Sequence, residues 1–391
     1  MLLRLRFKVI NLFRSPQQGV VIFESFNGRT VSDSPLAIYE YLLGEKCYSH
    51  LSFVWVIDSP SNTILPFIES QPRTKIVFFK SKDYFINYRL ASIWVTNCRL
   101  PKQLEKSRSQ IFLQCWHGTP IKKLGCDIVT TSDISISKLA RDYLYAKQTE
   151  DVDYFLSPSP YASERFISAF NLRPDQILES GYPRCDRLIE LKEKKHSSAV
   201  KSMLGIPLDK KVVLYAPTYR DDVFAPKSSL SADSLSVQGI LDSIQRCSDE
   251  IIVLYRGHYF SDQMASIDNV IDVSSHNDVN ELLNITDLLV TDYSSIMFDF
   301  ALLERAIICY LYDLDSYANE SRGMYIEIDD TFPCVRVGSE SELKEAILNA
   351  IDSNFAPSVN VSEFNRTYNP FEDGRSSMRV VEKMIKAARL K

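Results

Sequence analysis

Short apolar runs recur along this chain at the spacing of alternating strands and helices. Residues 20–23, 53–57, 76–79, 93–96, 111–114, 154–157 and 176–180 read as strands. A charged stretch at 190–196 follows, and then a second series opens with residues 211–216 and 250–255. Runs this apolar suit strands covered on both faces. The clearest unit lies at 288–311. Residues 288–291 (Leu-Leu-Val-Thr) read as a buried strand, and Asp292, Tyr293, Ser294 and Ser295 turn it. An apolar helix over 296–303 is closed by Arg305 and Ala306, and 307–311 is the next strand. A strand–helix–strand unit implies parallel pairing. The predicted class is therefore α/β, with two doubly wound, Rossmann-like halves facing a central cleft. No internal repeat or low-complexity tract interrupts the pattern.

The expected division is a basic amphipathic segment at 1–19, a first domain at 20–200, a second at 201–375 and a terminal helix at 376–391. A chain of 391 residues is too long for one core, which agrees with two domains. With 45% hydrophobic and 24% charged residues it is globular, and a net charge of −5 argues against a general nucleic-acid binder. Eight cysteines show neither CxxC nor metal-ligand spacing, so reduced thiols in a cytosolic setting are expected, with no metal and no cofactor. No apolar run approaches the roughly 20 residues that span a bilayer. Arg4, Arg6, Lys8 and Arg14 interleave with Leu2, Leu3, Leu5, Val9, Leu12 and Phe13 before the first acid, Glu24. That segment reads either as a helix lying on an anionic membrane surface or as a first helix packed on its own domain.

Candidate chemistry collects where strands end, which is where ligands of open parallel sheets bind. Two of five histidines stand beside glycine directly after strands, His117-Gly118 and Gly257-His258. His50, His196 and His276 lack that context and read as surface residues. His117 continues into Thr119, Pro120, Ile121, Lys122 and Lys123, a tight turn followed by two bases. Arg184 ends the Gly181-Tyr182-Pro183-Arg184 turn, Thr218 and Tyr219 end the strand at 211–216, and Arg256 precedes the second Gly-His pair. A helix starting at Ser294 would point free N–H groups and its positive dipole end at an anion, with Asp299 four residues after Ser295 on the same side. Any one of these bases reads as a solvated loop charge. Together with Thr291 and Asp292 they describe a pocket for a diphosphate-containing ligand.

These blocks resemble the CDP-glycerol glycerophosphotransferases, bacterial enzymes that prime or polymerise teichoic acid and related capsule chains. The resemblance rests on Trp116-His117-Gly118-Thr119-Pro120 with Lys122-Lys123-Leu124-Gly125, and on Gly181-Tyr182-Pro183-Arg184, Tyr215-Ala216-Pro217-Thr218 and Arg256-Gly257-His258. Thr291-Asp292-Tyr293-Ser294-Ser295 with Phe298-Asp299 completes the set. Phe23-Glu24-Ser25-Phe26-Asn27-Gly28, Trp94-Val95-Thr96-Asn97, Asp313-Leu314 and Glu320-Ser321-Arg322-Gly323 agree, so the likeness spans about residues 20–375. Cys185 departs from the family's usual Asn. The resemblance implies the GT-B architecture and transfer of glycerol phosphate from CDP-glycerol to a hydroxyl of a lipid-linked or saccharide acceptor, releasing CMP. It implies His117 as general base and His258, with Arg256, as stabiliser of the departing phosphate. Donor binding would fall to Gly118, Thr119, Pro120, Ile121, Arg184, Thr218, Tyr219, Arg256, Gly257, Thr291, Asp292, Ser294, Ser295 and Asp299. Lys122, Lys123 and Arg322 would meet acceptor or phosphate. Work at the cytoplasmic membrane face, without crossing it, is the implied setting. Ribitol-phosphate transfer from CDP-ribitol, a nucleotide-sugar glycosyltransferase or epimerase, and a non-catalytic nucleotide-binding scaffold are the alternatives.

Overall fold

The computed structural model describes residues 14–62, 64–128, 137–194, 197–218, 237–257, 269–312, 323–326, 328, 331–357 and 361–390. Residues 1–13, which carry most of the basic amphipathic segment, lie outside them. By contacts the chain divides into two units. Unit 1 comprises Met1–Thr119, Lys123–Arg187 and Tyr368–Lys391, and unit 2 comprises Pro120–Lys122 and Leu188–Thr367. The charged stretch after residue 190 is the end of a helix, Pro183–Lys194, whose Leu, Glu and Lys residues are good helix formers.

Unit 1 is built on seven parallel strands: β1 (Gln17–Glu24), β2 (Ser52–Ile57), β3 (Thr74–Phe78), β4 (Ala91–Thr96), β5 (Ile111–Gln114), β6 (Tyr154–Ser157) and β7 (Ile177–Glu179). Their order is β3-β2-β1-β4-β5-β6-β7. The chain winds outward from β1 to one edge and then returns to its other side, so the winding reverses between β1 and β4. One face buries Ile22, Val54, Tyr84, Tyr88, Trp94, Phe112, Phe155, Phe166 and Phe170 in a single apolar cluster. The terminal helix, Ser376–Leu390, belongs to this unit, and its first N–H groups, at Ser376 and Ser377, donate to the two carboxylate oxygens of Asp186 at 2.8 and 2.6 Å. Gly181 has to be glycine. Its φ is +78°, and a Cβ there would stand 2.4 Å from Ser376 Oγ and 2.8 Å from the Phe371 carbonyl oxygen.

Unit 2 carries six parallel strands: β8 (Lys211–Ala216), β9 (Ile251–Tyr255), β10 (Val270–Asp272), β11 (Leu288–Thr291), β12 (Ala306–Tyr310) and β13 (Val335–Val337). The order β10-β9-β8-β11-β12-β13 reverses between β8 and β11. Both units are therefore doubly wound, as the alternating pattern predicts. The edge strands β10 and β13 are not foreseen. Each has three residues and is mostly uncovered, so neither has the apolar run that marks a buried strand.

Candidate functional site

In an open parallel sheet the loops at the winding reversal part to opposite faces, leaving a depression beyond the strand ends. In unit 1 those loops follow β1 and β4, and they reach His117. The chain leaves β5 through Gln114, whose side-chain amide donates to the Cys98 carbonyl at 3.0 Å and accepts from Trp116 N at 2.9 Å. Trp116 takes a left-handed φ of +53°, a strained conformation for a bulky residue. The imidazole of His117 stacks on the Trp116 ring at 4.2 Å and lies 5.9 Å from the Phe26 ring. Its Nδ1 lies 3.0 Å from the Asn97 carbonyl oxygen. A carbonyl only accepts, so this contact assigns the hydrogen to Nδ1 and leaves the lone pair on Nε2. Solvent reaches the ring, yet enough protein surrounds it that desolvation lowers its pKa from the ordinary 6.5. The Asn97 carbonyl and the charge of Asp33 pull the value back up, while Arg184 and Arg99 push it down. The result is an imidazole that is neutral at neutral pH, with its ring orientation set by the Asn97 carbonyl.

In the chain that follows, Gly118, Thr119, Pro120 and Ile121 are buried, and Lys122 and Lys123 are half-buried. Residues Pro120–Lys122 belong to unit 2, where Ile121's carbonyl accepts from Tyr325 N at 2.8 Å and Lys122 pairs with Met324. Arg184, expected to reach a phosphate, has 6% of its side chain exposed. It donates Nη1 to Asp33 at 3.0 Å and covers the Tyr182 ring at 4.2 Å.

In unit 2 the reversal lies between β8 and β11, and the two loops are stitched together there. Thr291 Oγ1 donates to the Ala216 carbonyl at 2.7 Å. Asp292 Oδ1 accepts from Thr218 N at 2.8 Å, from the Thr218 hydroxyl and from Tyr293 N at 2.6 Å. Thr218, Thr291 and Asp292 are thus brought together. The helix after them is shorter than expected: it runs over Ile296–Ala301 and follows Ser295, not Ser294. Both ends tighten into i→i+3 bonds, Met297 N to Ser294 O at 3.4 Å and Leu303 N to Phe300 O at 2.9 Å, and Glu304 at φ +53° stops the turn. Ser294 and Ser295 are half-buried, and the Ser295 hydroxyl makes no capping bond; Asp299 is 8% exposed.

Arg256 follows β9, beside β8, and its Nη1 donates to the carbonyls of Val273 and His276 at 3.0 and 2.9 Å. Gly257 has an unstrained backbone. A Cβ there would stand 2.5 Å from Tyr255 Oη, so the ring of that neighbour already takes up the space a side chain would need. His276 departs from the surface reading: it is half-buried, with Nε2 3.1 Å from Glu281 Oε2. His50 is exposed, and His196, Tyr219, His258 and Arg322 lie outside the described residues. Sequence reading missed Asp33, the first residue of the helix Asp33–Gly44, although an acid opening the helix after the first strand of a doubly wound sheet was the available signal. All eight cysteines are free. Among the described residues no acid–His–Cys group could hold a metal, and no helix is long and apolar enough to cross a membrane.

Comparison with known proteins matches residues 6–386 to the family described as CDP-Glycerol:Poly(glycerophosphate) glycerophosphotransferase. The chain is 35% identical over 382 residues to a teichoic acid glycerol-phosphate transferase of Staphylococcus aureus, covering 96% of this chain and 95% of that one. It is 34% identical over 395 residues to a teichoic acid poly(glycerol phosphate) polymerase of Bacillus spizizenii, covering 97% and 95%. It spans only 43% of a polymerase of Staphylococcus epidermidis, to which it is 36% identical over 321 residues. Among solved structures, a variant of the wall teichoic acid polymerase TagF soaked with CDPG superposes with a TM-score of 0.88 at 31% identity, over 99% of this chain and 93% of that one. A UDP-N-acetylglucosamine 2-epimerase of Listeria monocytogenes (TM-score 0.54, 13% identity) shares the two-domain fold alone.

Proposed function

This chain belongs to the CDP-glycerol:poly(glycerophosphate) glycerophosphotransferase family, and we propose that within it His117 is the general base of the transfer. The enzyme transfers glycerol phosphate from CDP-glycerol in teichoic acid synthesis. An acceptor alcohol is a poor nucleophile at neutral pH. In the proposed step Nε2 of His117 takes the hydroxyl proton as the oxygen attacks the glycerol-bearing phosphorus. The bond from that phosphorus to the bridging oxygen breaks, and CMP leaves with the electron pair. The observation that carries this reading is the bond from Nδ1 to the Asn97 carbonyl, which leaves Nε2 as the basic nitrogen of a solvent-accessible ring.

Donor binding is assigned to the β8–β11 reversal, with Thr218, Thr291, Asp292, Ser294 and Ser295, and to the Arg256-Gly257-His258 loop beside it. His258 would stabilise the departing CMP phosphate, and Lys122, Lys123 and Arg322 would meet acceptor or phosphate. The proposed acceptor is a lipid-linked glycerol-phosphate chain. The test is to offer labelled CDP-glycerol, CDP-ribitol and a UDP-sugar with a lipid-linked acceptor and to measure CMP or UDP release with label transfer. Transfer from CDP-glycerol is expected to exceed the others; equal or better use of CDP-ribitol would overturn the polyol assignment.

A lipid-linked acceptor makes attachment to the cytoplasmic membrane face useful, and Arg4, Arg6, Lys8 and Arg14 are the bases proposed for it. At roughly 1 kcal/mol per base near an anionic surface, binding is modest and salt-sensitive. Removing residues 1–14 is expected to abolish sedimentation with anionic vesicles at low salt while sparing transfer to a soluble acceptor. Equal sedimentation of both forms would refute the attachment.

A further inference from the structure

Four separated stretches of unit 1 meet in one chain of hydrogen bonds that ends on His117. Arg184 Nη1 donates to Asp33 Oδ1 at 3.0 Å, and that oxygen also accepts from Ser34 N at 2.7 Å. The other carboxylate oxygen, Oδ2, accepts from Asn97 Nδ2 at 2.7 Å. Asn97 Oδ1 in turn accepts from Phe26 N at 2.9 Å, and the Asn97 carbonyl accepts from His117 Nδ1 at 3.0 Å. We propose that Asp33, held by Arg184, is a positioning residue for His117, fixing through Asn97 the carbonyl that keeps Nε2 free. The inference rests on the reading of His117 as the base.

Burial supports it. The Asp33 and Arg184 side chains are 8% and 6% exposed, so each charge depends on the other, and both carboxylate oxygens are already occupied. Backbone strain points the same way. Phe26, Asn27, Asp33 and Trp116 all adopt left-handed φ values, between +47° and +61°, and all four flank or belong to this network. For bulky residues such as Phe26 and Trp116 this conformation is unfavourable and persists only where its surroundings over-determine it. Asparagine cannot replace Asp33 without loss. Whichever way its amide turned, an N–H would face either the Arg184 and Ser34 donors or the Asn97 donor.

The charged groups acting on the imidazole are Asp33 from the helix Asp33–Gly44, Arg184 from the helix Pro183–Lys194 and Arg99 from the loop after β4. Asp33 raises the His117 pKa and the two arginines lower it, so removing one partner of the pair moves the acid limb of kcat/KM in a direction fixed by its charge. Asp33→Asn is expected to lower kcat roughly 10- to 100-fold and to shift the limb to lower pH, since the base is both misplaced and weaker. Arg184→Gln is expected to shift the limb to higher pH, because a positive charge that lowers the His117 pKa is gone. The double variant Asp33→Asn/Arg184→Gln keeps a neutral hydrogen-bonding pair, and its limb should return toward wild type; with Arg184→Gln it carries the test if Asp33→Asn does not fold. An unmoved limb in Arg184→Gln would overturn the proposal. Loss of activity without opposite pH shifts would reduce Asp33 to a structural part. Should His117→Ala, run alongside, keep its turnover, it is the reading of His117 itself that fails.

Discussion

Replacing His117 by alanine is expected to lower kcat roughly 10²–10⁴-fold while leaving KM for CDP-glycerol nearly unchanged. The side chain supplies no donor contact in this reading, so what disappears is proton acceptance in the transition state and not ground-state affinity. The pH profile adds a signature. The imidazole works only when neutral, and desolvation lowers its pKa from 6.5. Wild-type kcat/KM should hold through neutrality and fall as pH drops through a value below 6.5, where Nε2 gains its proton. The residual activity of His117→Ala should lack that limb. Near-normal turnover in a folded variant would remove the assignment.

The second large effect concerns Glu24, the last residue of β1, which is fully buried. Burial pushes its carboxyl up from the ordinary 4.5 to about 7, against the pull of hydrogen bonds from Tyr88, at 2.6 Å, and Cys98, at 3.7 Å, and the charge of Lys80. The sign follows from linkage. The folded state holds the proton more tightly than the unfolded chain, so the associated stability is complete below pH 4.5 and is lost as pH rises through about 7. The loss is on the order of 3 kcal/mol. Glu24→Gln keeps an acceptor for Tyr88 and cannot ionise. Its stability relative to wild type should therefore rise between acid and about pH 8 by that order, read from urea unfolding at a series of pH values. A difference that stays flat with pH would show that Glu24 is not a buried, reluctant acid. Cys98 also accepts from Asn27 N at 3.3 Å, so ionisation of Glu24 would be felt in the loops that hold Asn97 and His117.

Much of the fold was legible because buried parallel strands leave a local mark. The runs at 111–114, 154–157, 211–216 and 288–291 coincide with β5, β6, β8 and β11. Doubly wound topology follows from their alternation with helices, and it puts His117, Thr218, Arg256 and the Ser294-Ser295 turn after strands without any knowledge of contacts. The three-residue edges β10 and β13 were illegible for the complementary reason: uncovered backbone needs no apolar side chains.

Partnership was the other thing hidden. Arg184 sits in a turn that reads equally well as a phosphate contact, and nothing local says that its guanidinium meets a carboxylate 151 residues earlier. Likewise nothing local says that a side chain at Gly257 would meet the Tyr255 ring. The sequence by itself determined the strands, the class and the strand ends at which polar residues collect, since apolar period and turn chemistry act over a few residues. Tertiary structure alone decided strand order, and strand order set β1 beside β4 and β8 beside β11. Only those pairings bring Asp33, Asn97 and His117 into one network and seat Thr218 on Asp292, because a hydrogen bond depends on distance in space, which the chain's own spacing leaves open.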